Sequence, residues 1–271
     1  MSTIKDIARE TGLALATISS YLNGGNVRPQ NKILIQEAIE KLDYQRNDIA
    51  RSLKTAKTNT IGVIIPQIDD AYFSKVVATI SSSLYEHEYS MLVMDFGLDI
   101  KREKQAVDFL CSKQVSGIID MPSNLTTRHL ERAINQKVPI VLFDRAMPGK
   151  DLPVVKSDNF LAIDLAIDHL VQNGHRHIGF ISGNQKIETA REREAAYYKA
   201  LEKRGIKKKT SYVHRCDYVQ QDSAAESAHK IIESNPEITA LIASNMITMM
   251  GALQAFNEMD LRIPDEMSFV G

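Results

Sequence analysis

From Thr60 onward, short apolar runs alternate with longer stretches in which apolar residues recur at helical spacing. The runs 61–65, 91–95, 117–121 and 139–143 have strand length, and amphipathic stretches near 72–88, 101–113 and 127–136 separate them. A second series follows at 178–182, 213–214, 240–243 and 269–270, with helical spacing near 160–173, 188–204, 221–233 and 246–259. Strands that are apolar throughout are buried on both faces, and strand–helix repeats are the signature of parallel βαβ units. The expectation is an α/β fold of doubly wound parallel sheets with helices on both sides. Two series divided around Pro153–Asn159 predict two similar lobes, an N-lobe of about 59–158 and a C-lobe of about 159–271, with a cleft between them. Ligands of such folds bind at the carboxyl ends of strands, where the strand order switches.

Residues 1–58 follow the helical period alone. Thr3 can cap a first helix, Asp6 suits its positive end, and Ile4, Ile7 and Ala8 share a face before Gly12. Ala14, Thr17, Ile18, Tyr21 and Leu22 keep register up to Asn23-Gly24-Gly25. Pro29 suits the first turn of a third helix that carries Ile35, Ala38, Ile39 and Leu42. Two short helices joined by a glycine turn and braced by a third read as an all-α helix-turn-helix headpiece. A small helical bundle used for protein contacts fits the same spacing.

Charge favours the first of these. The 271-residue chain has a net charge of −1, but residues 1–58 hold nine Lys and Arg against six Asp and Glu, a net of +3 that leaves −4 for the rest. A basic head on an acidic body suits a polyanion at one end only. No apolar run is long enough to span a bilayer, and the start MSTIKDIARE lacks a signal-peptide core, so a cytoplasmic protein without membrane contact is expected. Cys111 and Cys216 have no metal-like or redox spacing and read as reduced thiols. The chain lacks phosphate-binding glycine loops, zincin and nucleophile-elbow motifs, so neither catalytic residues nor a cofactor are expected. His175 and His177 lie beside Arg176 with no acidic or Cys companion; they read as surface residues, and no metal site is expected.

The run Thr3-Ile4-Lys5-Asp6-Ile7-Ala8, then Gly12, Ala16-Thr17-Ile18-Ser19, Leu22-Asn23-Gly24 and Asn47-Asp48-Ile49-Ala50-Arg51-Ser52-Leu53 resembles the lactose-repressor (LacI) family of transcription regulators. The likeness continues to the last residue. It implies that the second helix enters the major groove of a DNA operator. Thr3, Thr17, Ser19 and Asn23 would hold phosphates, and Leu15, Ala16 and Ser20 would face base edges. Residues 46–57 would form a hinge helix that pairs across a homodimer, with Asn47 and Ala50 on DNA and Leu53 wedged between base steps of the minor groove. Identical headpieces then call for a near-palindromic operator. Three departures stand out: Ala14 where the family caps the second helix with Ser, Ser20 where it has a base-reading Arg, and Arg46 where it often has Pro. The first two point to weaker major-groove readout, and Arg46 to a looser entry into the hinge.

For the body, the resemblance implies a periplasmic-binding-protein-like effector domain with contacts at Tyr72, Phe73, Asp144, Arg193 and Asn245. Met246 stands where the family usually has Asp. Rings, carboxylates and bidentate Arg at strand ends suit a carbohydrate, although Asp and Asn there also cap the following helices. The reading is a DNA-binding regulator, a repressor, controlled by a sugar or sugar-derived effector. A switch worked by a partner protein, or a non-enzymatic sugar-binding protein, are the alternatives. Because the resembled family continues for roughly 60 residues, the scale of two βα units, residue 271 is not expected to be the natural end.

Overall fold

A computed structural model describes residues 2–44, 58–123, 126–147, 149 and 151–271. The chain divides into two compact units, Met1–Thr58 and Asn59–Gly271.

The first unit holds α1 (Ile4–Thr11), α2 (Leu15–Leu22) and α3 (Pro29–Lys41). At the start of α1, the Asp6 carboxylate accepts from the Thr3 backbone N–H at 2.9 Å and its hydroxyl at 2.7 Å. Those bonds hold Asp6 below the usual carboxylate range. Gly12 closes α1 in the left-handed region, φ 69°, a conformation that costs other residues a steric clash. One residue from each helix seals the centre: Ile7, Ile18 and Ile35 are fully buried, with Val27 and Ala38 beside them. Ala14 stands at the N-cap of α2 in extended conformation and gives no side-chain hydrogen bond. Restoring an acceptor there with Ala14→Ser is expected to stabilise the headpiece by about 1 kcal/mol. A thermal melt followed on a headpiece signal checks this, and an unchanged or lower midpoint would refute it.

In the second unit, β1 (Thr60–Ile65), β2 (Ser90–Asp95), β3 (Gly117–Asp120), β4 (Ile140–Phe143) and β5 (Val154–Val155) form one parallel sheet in the order β2-β1-β3-β4-β5. Then β6 (Ile178–Ser182), β7 (Val213–Arg215), β8 (Ala240–Ala243) and β9 (Ser268–Val270) form a second, ordered β7-β6-β8-β9. The helices are α4 (Ala71–Glu86), α5 (Ile100–Ser112), α6 (Glu131–Asn135), α7 (Asn159–Gln172), α8 (Glu188–Lys203), α9 (Gln221–Ser234) and α10 (Met246–Glu258). The inner strands of each sheet are buried on both faces. Along β1, Ile64 packs with Phe96, Leu110 and Leu142, whereas Val63 and Ile65 pack with Phe73 and Met121. In β6, Phe180 and Ile181 divide in the same way between two clusters. Each sheet has its switch point beside its first strand, β1 or β6, and both lie in the same unit.

The α/β class and its parallel sheets match the sequence pattern. Two local details differ from it. Residues 127–136 are a 3-10 turn, Thr127–Leu130, followed by the short α6, and the tighter turn carries His129 and Leu130 inside. The stretch 153–159 is more than a divide, because Val154 and Val155 pair with Leu142 and Phe143 as β5. Among the described residues, no helix is long and apolar enough to cross a membrane.

Candidate nucleic-acid interface and ligand cleft

In the headpiece, α2 carries no charged side chain. Leu15 and Ala16 at its start are exposed, Thr17, Ser19 and Ser20 are half-buried, and Asn23 and Thr3 are exposed. Asn23 donates through Nδ2 to the Ser19 carbonyl at 2.6 Å, which steadies the end of α2. Ser20 lies against the following turn: Gly25 N–H donates to its carbonyl at 2.8 Å, and a Cβ on Gly25 would fall 2.4 Å from its Oγ. Any long side chain at position 20 must therefore project away from that turn. Asn47, Ala50 and Leu53 lie outside the described residues.

In the second unit, the five body residues singled out from the sequence line one cleft of about 610 Å³. At the end of β1 the chain turns into α4, where the Asp70 side chain caps by accepting from Tyr72 N–H at 2.7 Å. That cap sets the rings of Tyr72 and Phe73 edge to face, 5.3 Å apart. The Tyr72 hydroxyl reaches toward Asp144 at 3.5 Å. Burial, with the Asp144 charge second, pushes the phenol up to about 12, so it stays a neutral donor at any physiological pH. Asp144 ends β4 at φ 68°, a left-handed turn that Asp tolerates better than most residues. Its backbone N–H donates to Val155 at 2.9 Å, and Arg145 Nε donates to its carboxylate at 3.2 Å. A mostly buried carboxylate is thus held at the cleft wall with its charge offset by a neighbouring guanidinium.

The opposite wall comes from the second sheet. Arg193 projects from α8 and donates through Nε to Asn159 Oδ1 at 2.8 Å and through NH1 to the Ser244 carbonyl. Ser244 is anchored by the Tyr218 hydroxyl at 2.7 Å. Asn159 in turn donates to Glu192 at 2.7 Å, and Lys156 joins Glu192 and Glu188 at 2.6 and 3.0 Å. The guanidinium is thereby aimed by four elements at once. Asn245 caps α10: its Oδ1 accepts from Thr248 N–H at 2.8 Å, and its Nδ2 makes only a long 3.5 Å approach to Tyr218 O. Met246, the next residue, is exposed and lines the cleft.

Sequence reading missed Tyr218 and Asp217, which follow the three-residue β7, and Lys186 in the loop before α8. A strand that short gives little periodic signal; the Asp217-Tyr218 pair after it was the one available pointer. His175 and His177 stand away from the cleft and bond Thr239 Oγ1 and the Tyr212 hydroxyl, at 2.8 and 2.7 Å. The cleft therefore offers the rings of Tyr72 and Phe73 and the Asp144 carboxylate from the first sheet, and the Arg193 guanidinium, the Asn245 amide, Tyr218 and Asp217 from the second. That combination fits a ring-shaped polyhydroxylated molecule, with one apolar face on the rings and hydroxyls shared between donors and acceptors.

Comparison with known proteins covers both units. Residues 3–47 match the family described as bacterial regulatory proteins, lacI family. Residues 58–270 match periplasmic binding proteins and sugar binding domain of LacI family. The chain is 30% identical over 272 residues to catabolite control protein A of Priestia megaterium, which spans 99% of this chain and 81% of that protein. It is 28% identical over 273 residues to the HTH-type transcriptional repressor PurR of Pasteurella multocida (strain Pm70), across 100% of this chain and 81% of that one. A solved sugar-binding transcriptional regulator (LacI family) from Escherichia coli, complexed with phosphate, superposes with a TM-score of 0.67 at 25% identity, covering 79% of this chain and 78% of its own.

Proposed function

This chain belongs to the lacI family of bacterial regulatory proteins, and we propose that it acts as a homodimeric repressor whose hold on DNA is set by a carbohydrate effector. It is a DNA-binding transcription regulator, so its place of work is the cytoplasm, and it acts by binding rather than by catalysis. The observation that carries the effector reading is the cleft that Tyr72 and Phe73 line together with the Asp144 carboxylate and the Arg193 guanidinium. Sugars are held by stacking on rings together with charged, planar hydrogen-bonding partners. The related E. coli structure is named for sugar binding, and the second matching family is described by it.

On the DNA side, α2 offers two apolar side chains, Leu15 and Ala16, and short hydroxyls. Such a helix reads thymine methyl groups and positions itself on phosphates, with little bidentate base readout. Specificity then leans on the hinge, where Leu53 of each protomer wedges the minor groove, and on the deformability of the central base step.

Selection of bound duplexes from a random pool, with and without a panel of sugars, tests the whole reading. Near-palindromic sequences whose capture changes with one sugar are expected. Equal capture of all duplexes, or capture indifferent to every sugar, would overturn it. In the same selection, Ser20→Arg is expected to shift preference toward G at one symmetric pair of positions, a discrimination of about 1–3 kcal/mol. Unchanged preference would take Ser20 out of the groove.

A further inference from the structure

The N-lobe interior holds three ionisable side chains that the cleft does not use. Glu103 of α5 and Asp120 at the end of β3 are fully buried, and His129 in the 3-10 turn is 4% exposed. His129 Nε2 lies 2.9 Å from Asp120 Oδ2 and 3.5 Å from Glu103 Oε1. Because Nε2 faces the carboxylates, Nδ1 is the nitrogen that serves the ring's other hydrogen bond, to the Thr126 backbone. A neutral ring that donates through Nδ1 presents a lone pair at Nε2. Lone pair and carboxylate oxygens at these distances repel unless a positive charge lies among them.

That charge is a proton or a cation. Burial opposes a proton on His129, yet the hydrogen bond and charge of Asp120, helped by Glu103, outweigh it and raise the imidazole above its usual range. A protonated ring beside two ionised carboxylates leaves one net negative charge in a dry pocket, and burial accordingly pushes the Glu103 carboxyl above its usual range. Such a ring also leaves Asp120 Oδ1 buried with no hydrogen-bond partner among the described residues. A divalent ion removes both problems. Two carboxylates and a neutral imidazole bring the pocket to zero charge, and a chelating Asp120 would share the ion between Oδ2 and the otherwise unpartnered Oδ1.

The two separations from His129 Nε2 suit this choice. Around a tetrahedral ion with bonds of about 2.0 Å, neighbouring donor atoms stand about 3.3 Å apart. The 2.9 and 3.5 Å separations bracket that value, and one donor atom from each residue lies within 4.8 Å of the other two. Outer contacts are also in place. Thr126 orients the imidazole, and Ser123 donates its backbone N–H and hydroxyl to the two Glu103 oxygens at 2.9 and 2.6 Å. Such partners fix ligand tautomer and rotamer at metal sites. We propose that Glu103, Asp120 and His129 form a site for a divalent transition-metal ion of the zinc class, reached from the cleft past Ser123, which also lines the cleft wall.

The test uses the full chain, stripped with a chelator and titrated with Zn²⁺ by calorimetry and with Co²⁺ by visible absorption. One Zn²⁺ per chain is expected, with Co²⁺ giving ligand-field bands and the thermal midpoint rising with added Zn²⁺. Asp120→Asn keeps the side-chain shape, so it should fold; it is expected to weaken Zn²⁺ binding by at least about tenfold, the lower scale on which even outer partners act. His129→Gln should behave likewise. Equal Zn²⁺ binding by wild type and both variants would place the ion elsewhere and overturn the proposal. A wild-type chain that takes up no Zn²⁺ while Asp120→Asn melts at higher temperature would assign the pocket to a buried proton, and overturn it too.

Discussion

Arg193→Ala is expected to weaken effector binding by about a hundredfold or more while leaving operator affinity in the absence of effector nearly unchanged. The guanidinium is a planar donor already fixed by Asn159 and the Ser244 carbonyl, so its remaining N–H groups meet a ligand without losing rotamer freedom. Each hydrogen bond from a charged group contributes about 1.5–3 kcal/mol, and two to a ligand account for a hundredfold. The truncation also strips the buried Asn159 oxygen of its donor, which loosens the Lys156–Glu192 link beside it. DNA binding is spared because the headpiece has its own core of Ile7, Ile18 and Ile35. Calorimetry with the sugar identified by selection, beside a gel shift without it, measures both halves. A variant that responds normally to that sugar would remove Arg193 from the site.

Gly183→Ala is expected to lower global stability by about 1–3 kcal/mol, the usual cost of overpacking, and to blunt the effector response with it. Gly183 ends the run out of β6 with an ordinary backbone, so alanine is not refused by its dihedrals. The obstacle is Tyr218. A Cβ at 183 would fall 2.2–2.5 Å from three atoms of that ring, and the ring is buried with its hydroxyl held by Ser244. Moving the ring moves Ser244, whose carbonyl aims Arg193. Denaturant unfolding and effector titration should therefore both change. A variant of wild-type stability would show that the ring swings aside freely, contrary to its packing.

These two residues also show what the sequence disclosed. The run 61–65 announced a strand because Ile64 packs one face of its sheet and Val63 and Ile65 the other. Asp144 was legible because it ends a strong strand, where α/β folds collect ligands, whereas Arg193, inside α8, was marked out only by the family resemblance. Tyr218 was not, since β7 is three residues long and the residue its ring packs against, Gly183 just after β6, looks like any loop glycine. Val154 and Val155 were hidden for the opposite reason: both are exposed on an edge, so no periodicity marks β5. The Glu103, Asp120 and His129 cluster has no local motif. Its members come from a helix, a strand end and a 3-10 turn that only the folded chain brings together.

Asn245 and Met246 differ in how freely natural selection can alter them. The Asn245 oxygen is committed to the first turn of α10, so replacing it with a residue that cannot cap carries a folding penalty of about 1 kcal/mol before any ligand is considered. Met246 sits one position on, exposed at the cleft wall with no cap to maintain. Substitutions there change the pocket at little cost to the helix, since side chains free of caps and cores usually shift stability by less than about 0.5 kcal/mol. Descendants of this protein with new effectors should therefore diverge first at 246 and keep the asparagine beside it, because there the route to a new ligand does not run through a less stable protein.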